Sequence, residues 1–195
     1  MRTAFYYDLF SPEAYLTAER IINLLPAAEW IPISAPQLPG ADMLDGFLCP
    51  TDRAAFCDRI ERRAAQRRLQ EIRWPDPFPC DSAYAMCVAT YARQIGRAVA
   101  FSLAAFRQAF AGGRDLGEPD NVMIAAAACE MHPRAVAKSA GMSSIARALD
   151  EATALAAQRG VHDVPAVWVP DEAGDGGRVF HGDDALDDAV RALIA

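Results

Sequence analysis

The stretch that decides the fold reads FYYDLFSPEAYL and covers residues 5–16. Aromatic residues with high strand propensity fill its first half, so residues 3–9 are predicted to form a short strand. Ser11 suits the position that caps a helix, and Pro12 suits the first helical position. Apolar residues recur at helical spacing from Leu16 onward, and Pro26 ends the helix. The stretch therefore predicts a strand, a tight turn and a helix.

The rest of the chain divides into a short second strand, a long helical region and a final α/β segment. Residues 29–35 predict the second strand, which runs parallel to the first because a helix connects the two. Helical periodicity then covers residues 51–70, 82–111 with a break near Gly96, 120–131, 133–140 and 144–159, where Gly160 stops the last helix. Residues 166–169 and 178–180 predict a hairpin around the loop 171–177, and residues 183–194 predict the last helix.

This order of elements predicts an α/β protein with a thioredoxin-like fold and a helical insertion between the second and third strands. On this interpretation the thioredoxin-like domain is discontinuous and comprises residues 1–50 and 144–195. The inserted helical lobe comprises residues 51–143.

Composition limits the classes of function. The chain has 195 residues, of which 52% are hydrophobic and 23% charged, as is typical of a globular protein that buries a core. Its net charge of −7 gives no electrostatic support for a nucleic-acid partner. The sequence has neither a signal peptide nor an apolar run of membrane-spanning length, so we expect no membrane partner and a cytoplasmic location.

The cysteines and histidines do not form a recognisable metal or disulfide pattern. The five cysteines are never spaced as C-x-x-C, which argues against a disulfide framework and against a zinc site of four thiolates. The three histidines, His132, His162 and His181, are too scattered to predict a metal site. We therefore expect no bound metal, and most of the cysteines are expected to act as small apolar residues.

Two junctions of the chain resemble a known family. Residues 5–16 resemble the opening of the 2-hydroxychromene-2-carboxylate isomerases and kappa-class glutathione transferases, which belong to the DsbA-like thioredoxin superfamily. The segments GVHDVPAVWV at residues 160–169 and FHGDDAL at residues 180–186 resemble that family's cis-proline segment and its closing Gly-x-Asp turn. Residues 77–82 and 105–116 are similar to the start and end of the inserted helices. The resemblance covers most of the chain and is weakest over residues 36–70.

Ser11 and Ala14 stand where a redox thioredoxin carries its two cysteines, so dithiol exchange by that route is chemically impossible. What remains at this turn is a helix N-terminus with a hydroxyl beside it, an arrangement that stabilises a thiolate. The resemblance implies that the thiolate belongs to a cofactor, glutathione or another low-molecular-weight thiol, and that Ser11 donates a hydrogen bond to the sulfur. The alternative is that Ser11 only caps the helix.

Two further segments gain a role from the resemblance. The Val164–Pro165 bond is expected to be cis, and Val164 is expected to offer its backbone N–H and C=O to the cysteinyl group of the thiol. An acid near the start of the last helix is implied to hold the γ-glutamyl amino group. Asp184 is the candidate for that role, with Asp183 beside it, and the alternative is that both only place negative charge in the first helical turn.

Arginines cluster on the helix predicted at residues 51–70, namely Arg59, Arg62, Arg63, Arg67 and Arg68. Most of this cluster is expected to be a solvated face. An alternative is that one of these arginines faces the cleft and holds a carboxylate of the substrate or of the thiol.

Together these features predict an isomerase that depends on a thiol cofactor, or a glutathione transferase, acting on a small aromatic-derived molecule. A homodimer is a family-level expectation. Two alternatives remain at this stage: a DsbA-like binding protein without catalysis, and a thiol–disulfide oxidoreductase that uses cysteines outside the usual turn.

Overall fold

A computed structural model describes residues 2–39, 47, 49–171 and 176–194. Strand β1 (Ala4–Tyr7) leads into helix α1 (Pro12–Leu24), and β2 (Glu29–Pro32) is followed by a short 3-10 turn (Ala35–Gln37). Five helices come next: α2 (Pro50–Gln66), α3 (Ala83–Gln94), α4 (Ala98–Phe110), α5 (Pro119–Ala128) and α6 (Pro133–Ala140). Helix α7 (Ser143–Gln158), strands β3 (Ala166–Pro170) and β4 (Gly177–His181), a 3-10 turn (Asp183–Ala185) and α8 (Leu186–Ile194) complete the described chain.

The four strands form one sheet in the order β2-β1-β3-β4. Strand β1 pairs in parallel with β2 and antiparallel with β3, and β3 pairs antiparallel with β4. This arrangement confirms the predicted α/β fold, its parallel β-α-β unit and its C-terminal hairpin. Residues 172–175 of the predicted hairpin loop lie outside the described residues.

Strand β1 lies at the centre of the sheet and is buried on both faces. Phe5 and Tyr7 point to the face covered by α1, α3 and α4, where the Tyr7 hydroxyl and Ser102 Oγ are 2.5 Å apart in a buried hydrogen bond. Ala4 and Tyr6 point to the other face and pack in a second apolar cluster with Ile31 and Trp168. The alternation follows from the two-residue period of a strand.

The inserted helices continue the larger apolar cluster rather than forming a separate one. Phe101, Phe106 and Phe110 of α4 are fully buried, and they belong to the same cluster as Phe5 and Tyr7 of the sheet. The division into a domain and a lobe at residues 51 and 143 stays a prediction. None of the helices in the described part of the chain has the length and apolar character that crossing a bilayer requires.

Candidate active site

Ser11 caps helix α1, as the sequence predicts. It has extended backbone geometry, its side chain is fully buried, and its Oγ accepts a hydrogen bond from the Ala14 N–H at 3.2 Å. The Ser11 hydroxyl proton is not donated to any acceptor among the described residues. Pro12 has no N–H, so the Glu13 N–H is the amide of this first turn that finds no acceptor in the described chain. The turn therefore holds one hydroxyl and one amide without a described acceptor at the positive end of the helix dipole, and the hydroxyl is buried.

The Val164–Pro165 peptide bond is cis. The Val164 N–H donates to Oδ1 of Asp163 at 2.7 Å, so this N–H already has a partner within the protein. The Val164 carbonyl accepts no hydrogen bond from a described residue. Beside it, the Pro165 carbonyl accepts the Gly182 N–H at 2.9 Å, which ties the cis-proline segment to the turn that carries Asp183 and Asp184.

Asp183 and Asp184 meet Arg63 of α2 and Arg67, the residue that directly follows this helix. Asp183 is almost fully buried, and its two carboxylate oxygens accept from the guanidinium groups of Arg63 and Arg67. The Asp184 side chain is 66% exposed, and its oxygens lie 2.6 Å from Arg67 and 3.0 Å from Arg63. Both acids therefore already have cationic partners within the protein, and only Asp184 presents an exposed edge to an incoming ammonium group.

The arginine-rich helix α2 is divided between solvent and site. Arg62 and Arg68 are exposed, as expected for a solvated face, whereas Arg63 and Arg67 reach the two aspartates. Arg59 is exposed and lines a cavity beside the start of α1, where its guanidinium carbon lies 5.0 Å from the centroid of the Phe56 ring. Arg59 is the arginine of this cluster that lines the cavity.

This cavity lies against the first residues of α1 and has a volume of about 290 Å³. Its wall is mainly apolar, with Glu13 and Arg59 as its charged members, and the lining residues are Phe10, Pro12, Glu13, Phe47, Phe56, Arg59, Phe78 and Pro79. The aromatic side chains contact one another, with ring centroids 5.3 Å apart for Phe47 and Phe56 and 6.2 Å apart for Phe56 and Phe78. The aromatic and apolar lining suits an aromatic ring.

Sequence reasoning missed this pocket and the residue Glu13. The aromatic walls come from α2 and from residues 47–79, which meet α1 only in the folded chain. Glu13 stands directly after Ser11-Pro12, and its side chain remains 18% exposed while Oε1 lies 3.0 Å from Arg63. The signal available in the sequence was a charged residue in the turn that the family resemblance singles out.

Asp8, in the same quoted stretch, is a fully buried carboxyl group. Its Oδ1 accepts from the Ser82 hydroxyl at 2.6 Å and its Oδ2 accepts from the Ala35 N–H at 3.0 Å. Burial raises its pKa from 3.8 to about 6, although these hydrogen bonds act in the opposite direction. Asp8 ties the end of β1 to the start of α3 and to the turn after β2.

The cysteines are all reduced, and three of the five are buried. Cys80 and Cys87 line a second cavity of about 290 Å³ that also contains Asp8. Burial raises the pKa of Cys80 to about 11 and also raises that of Cys87. Neither thiol therefore has the depressed pKa of a redox-active cysteine.

The rings of His162 and His181 stack on each other with centroids 3.7 Å apart. The backbone N–H of His162 also donates a hydrogen bond to Nε2 of His181 at 3.3 Å. Burial lowers the pKa of His181, and the neighbouring His162 lowers it further. His162 is exposed, as the sequence indicates. Within the part of the chain that the structure describes, no three His, Cys, Asp or Glu side chains are grouped to hold a metal ion.

The sheet order and the turn define a thioredoxin-fold protein with Ser11 and Ala14 at the redox cysteine positions. The family profile of the DSBA-like thioredoxin domain matches residues 3–193, so the chain belongs to that family. The family predicted from the two junctions is thereby confirmed. No curated protein matches the sequence.

Solved structures agree with this assignment over nearly the whole chain. The structure of a 2-hydroxychromene-2-carboxylate isomerase superposes with a TM-score of 0.82 at 18% identity, over 99% of this chain and 94% of that one. The cytosolic disulfide reductase DsbM from Pseudomonas aeruginosa superposes with a TM-score of 0.67 at 14% identity, over 100% of this chain and 97% of that one. At these identities the likeness establishes the fold.

Proposed function

We propose that this protein is an isomerase that uses a thiol cofactor, or a closely related glutathione transferase, acting on a small aromatic-derived molecule. The observation that carries the proposal is the aromatic cavity at the N-terminus of α1, lined by Phe10, Pro12 and Glu13 on either side of Ser11. A sulfur held at the start of the helix would face a flat substrate in this cavity. The superposition with the 2-hydroxychromene-2-carboxylate isomerase supports the same reading.

The residues around the start of α1 fit a thiolate. Ser11 has a hydroxyl proton that no described residue accepts, and the Glu13 N–H also has no acceptor in the described chain, although the Ser11 side chain is fully buried in the unliganded protein. Both lie at the end of α1 where the helix dipole favours negative charge. When bound, the thiol supplies a nucleophilic sulfur that adds reversibly to a conjugated or otherwise electrophilic carbon. Ser11 would stabilise that sulfur as the anion by donating a hydrogen bond to it.

The remainder of the proposed thiol site is less open. The Val164 carbonyl is available to a cysteinyl N–H, whereas the Val164 N–H first has to leave Asp163. Asp184 offers its exposed edge to the γ-glutamyl ammonium, and Asp183 remains with its arginines. A structure of DsbM was determined with GSH, which supports glutathione as the thiol to test first. We propose a cytoplasmic location, because glutathione and other low-molecular-weight thiols are kept reduced there.

Arg59 gives the proposed pocket a preference among aromatic substrates. Its side chain lines the cavity, against the ring of Phe56, and a guanidinium group recognises a carboxylate through its paired N–H donors. We therefore assign Arg59 the role of holding a substrate carboxylate while the ring occupies the aromatic wall.

A DsbA-like binding protein without catalysis is the second candidate. It is favoured by the occupied Val164 N–H and by the neutralised pair Asp183 and Asp184. A thiol–disulfide oxidoreductase is disfavoured because burial raises the pKa of Cys80 to about 11, which leaves little thiolate at neutral pH.

The deciding experiment combines thermal shift with turnover. The protein is heated with glutathione, γ-glutamylcysteine, cysteinylglycine or S-methylglutathione, since a bound ligand stabilises the folded state in proportion to the logarithm of its concentration over Kd. The same thiols are then added with Z-benzylidenepyruvate, and conversion to the E isomer is followed by absorbance.

We expect glutathione to stabilise the folded protein and to accelerate isomerisation of Z-benzylidenepyruvate. S-methylglutathione, whose sulfur is blocked, should not accelerate it. Stabilisation without turnover on any probe indicates the non-catalytic binding protein. Insulin reduction that disappears in Cys80→Ser or Cys87→Ser indicates an oxidoreductase instead.

A further inference from the structure

Glu13 is a carboxyl group on the wall of the aromatic cavity and has no role in the proposal above beyond its backbone N–H. Its Oε1 lies 3.0 Å from Nη1 of Arg63. Its Oε2 accepts no hydrogen bond from any residue in the described chain. The cavity is otherwise apolar apart from Arg59. One carboxyl oxygen is thus anchored, and the other is available to a molecule in the cavity.

Arg63 is shared among three carboxyl groups. It lies within ion-pair distance of Glu13, Asp183 and Asp184, and Arg67 adds a second cation to the same two aspartates. Arg59 also acts on Glu13 and lines the same cavity. The ion-pair contact of Glu13 is therefore with a guanidinium that two other acids already engage.

We propose that Glu13 exchanges a proton with an oxygen of the substrate in the aromatic cavity, an assignment that rests on the proposed function. Glu13 lines the cavity together with Phe10 and Pro12, the two residues that flank Ser11, so a sulfur bound at the start of α1 would act on a molecule in the cavity that the Glu13 carboxyl group borders. A carboxylic acid placed there can neutralise the charge that develops on a carbonyl oxygen when a nucleophile adds to the conjugated carbon.

The exchange balances in both directions for an α,β-unsaturated ketone. Glu13 gives its proton to the carbonyl oxygen while an electron pair from sulfur forms a C–S bond at the β-carbon and the C=C electrons shift toward the oxygen. Glu13 is then a carboxylate. After rotation about the bond that has become single, Glu13 takes the proton back from the oxygen, the C=C bond forms again and the C–S electron pair returns to sulfur.

The net effect of the surroundings of Glu13 on its pKa is upward, the direction that suits a proton donor. Burial raises its pKa above the ordinary value, and Asp163 raises it further, whereas Arg63 and Arg59 act in the opposite direction. A proton donor must carry its proton, so the rate is expected to fall as the pH rises through the pKa of Glu13.

The test compares Glu13→Gln with the control Glu19→Gln. Glu19 lies on the same helix and pairs with an arginine, Arg107, but does not line the cavity. Glutathione and Z-benzylideneacetone, an enone without a carboxylate, serve as probes across a pH series. We expect Glu13→Gln to lower kcat/KM about 100-fold and to abolish its fall at higher pH. Glu13→Asp, which keeps the acid but shortens its reach, should retain the pH dependence at a lower rate.

A second measurement needs neither thiol nor substrate. The infrared band of protonated carboxyl groups is recorded against pH in wild type and in Glu13→Gln. Subtracting the two spectra leaves the signal of Glu13, because Asp8 and the other acids are present in both proteins. We expect that difference to titrate above the ordinary range of a glutamate. Circular dichroism and glutathione binding establish that the variant is folded.

The possible failures are distinct. If the wild type isomerises no probe with any thiol, the proposed function fails and the role of Glu13 fails with it. If the wild type is active but Glu13→Gln stays within twofold of Glu19→Gln with an unchanged pH profile, the proton-exchange role alone is overturned. An infrared titration at the ordinary glutamate value also counts against it.

Discussion

The backbone N–H of Val164 donates to the side chain of the preceding residue, with 2.7 Å between the nitrogen and Oδ1 of Asp163. Asp163 thus occupies the donor that a bound cysteinyl group would need. Burial raises the pKa of this aspartate, whereas the hydrogen bond from Val164 lowers it, so that hydrogen bond stabilises the carboxylate. The thiol and Asp163 compete for one hydrogen bond.

Removing the competitor should tighten thiol binding. A net hydrogen bond contributes about 0.5–1.5 kcal/mol, so Asp163→Ala is expected to lower the Kd for glutathione by about two- to tenfold in calorimetry. Asp81→Ala is the matched control, because Asp81 also accepts a backbone N–H, from Ala83, but lies at the start of α3. Equal or weaker binding by Asp163→Ala would mean that Val164 does not pair with the thiol.

Arg59 should set the preference for carboxylated substrates. Because its side chain is exposed, its attraction for a carboxylate is screened, and Arg59→Ala is expected to lower kcat/KM for Z-benzylidenepyruvate by about two- to fivefold. The rate for Z-benzylideneacetone, which has no carboxylate, should fall less. Arg62→Ala is the control, since Arg62 lies on the same helix and donates to the backbone of Asp58. An equal loss for both substrates would show that Arg59 only supports the wall.

The two adjacent aspartates should separate stability from binding. Asp183→Ala leaves Arg63 and Arg67 without a buried anion, so it is expected to lower the free energy of unfolding by roughly 3–5 kcal/mol. Asp184→Ala removes an exposed partner and should cost less than about 1 kcal/mol.

The binding side of this comparison uses two thiols. Asp184→Ala should weaken glutathione more than cysteinylglycine, which lacks the γ-glutamyl ammonium. Urea unfolding measures the stability loss in each variant, and calorimetry measures the binding of the two thiols. Similar stability losses in the two variants would place Asp183 outside a buried ion cluster, and identical binding of both thiols would leave Asp184 with only a first-turn role.

Asp8 should make stability depend on pH. Its pKa in the folded protein is about 6, above the ordinary value of 3.8, so the folded state favours the protonated acid. This stabilising contribution is complete below about pH 4 and is lost as the pH rises through about 6, with a loss of roughly 3 kcal/mol. Urea unfolding at a series of pH values should show this decline in wild type and a smaller one in Asp8→Asn. Parallel curves for the two proteins would contradict it.

The sequence predicted the parts of this molecule that local chemistry determines. The cap at Ser11, the stop at Gly160 and the hairpin of β3 and β4 follow from residue types at fixed spacing. Helix ends differed by a few residues: α2 ends at Gln66 and not at residue 70, and the last helix begins at Leu186 after a 3-10 turn. Terminal turns depend on tertiary contacts that a single sequence does not display.

The site was predicted less completely, because its contacts join distant segments. Arg63 in the last turn of α2 and Arg67 just after the helix are four residues apart and so lie on one side, but only the folded chain brings Asp183 to them. The aromatic cavity likewise needs Phe56 and Phe78 beside Phe10. The contact between Val164 and Asp163 is local, yet no sequence pattern predicts that an aspartate accepts a hydrogen bond from the N–H of the residue that follows it.

Ser11 provides the most direct test of the proposed chemistry. If its hydroxyl donates to a cofactor thiolate, Ser11→Ala must raise the pKa of the bound thiol, because the lost hydrogen bond favours the charged form. One hydrogen bond to a charged acceptor contributes about 1.5–3 kcal/mol, which corresponds to roughly one to two pKa units.

Glutathione should still bind to Ser11→Ala, because the Glu13 N–H and the dipole of α1 remain. The ultraviolet absorbance of the thiolate in saturating glutathione should then titrate at higher pH, and turnover at neutral pH should fall about 10- to 100-fold. Thr17→Ala is a suitable control, since Thr17 is also buried on α1 and its hydroxyl has no hydrogen-bond partner within the described chain. If wild type and Ser11→Ala give the same thiolate titration, Ser11 only caps the helix, and the helix N-terminus would have to hold the sulfur without it.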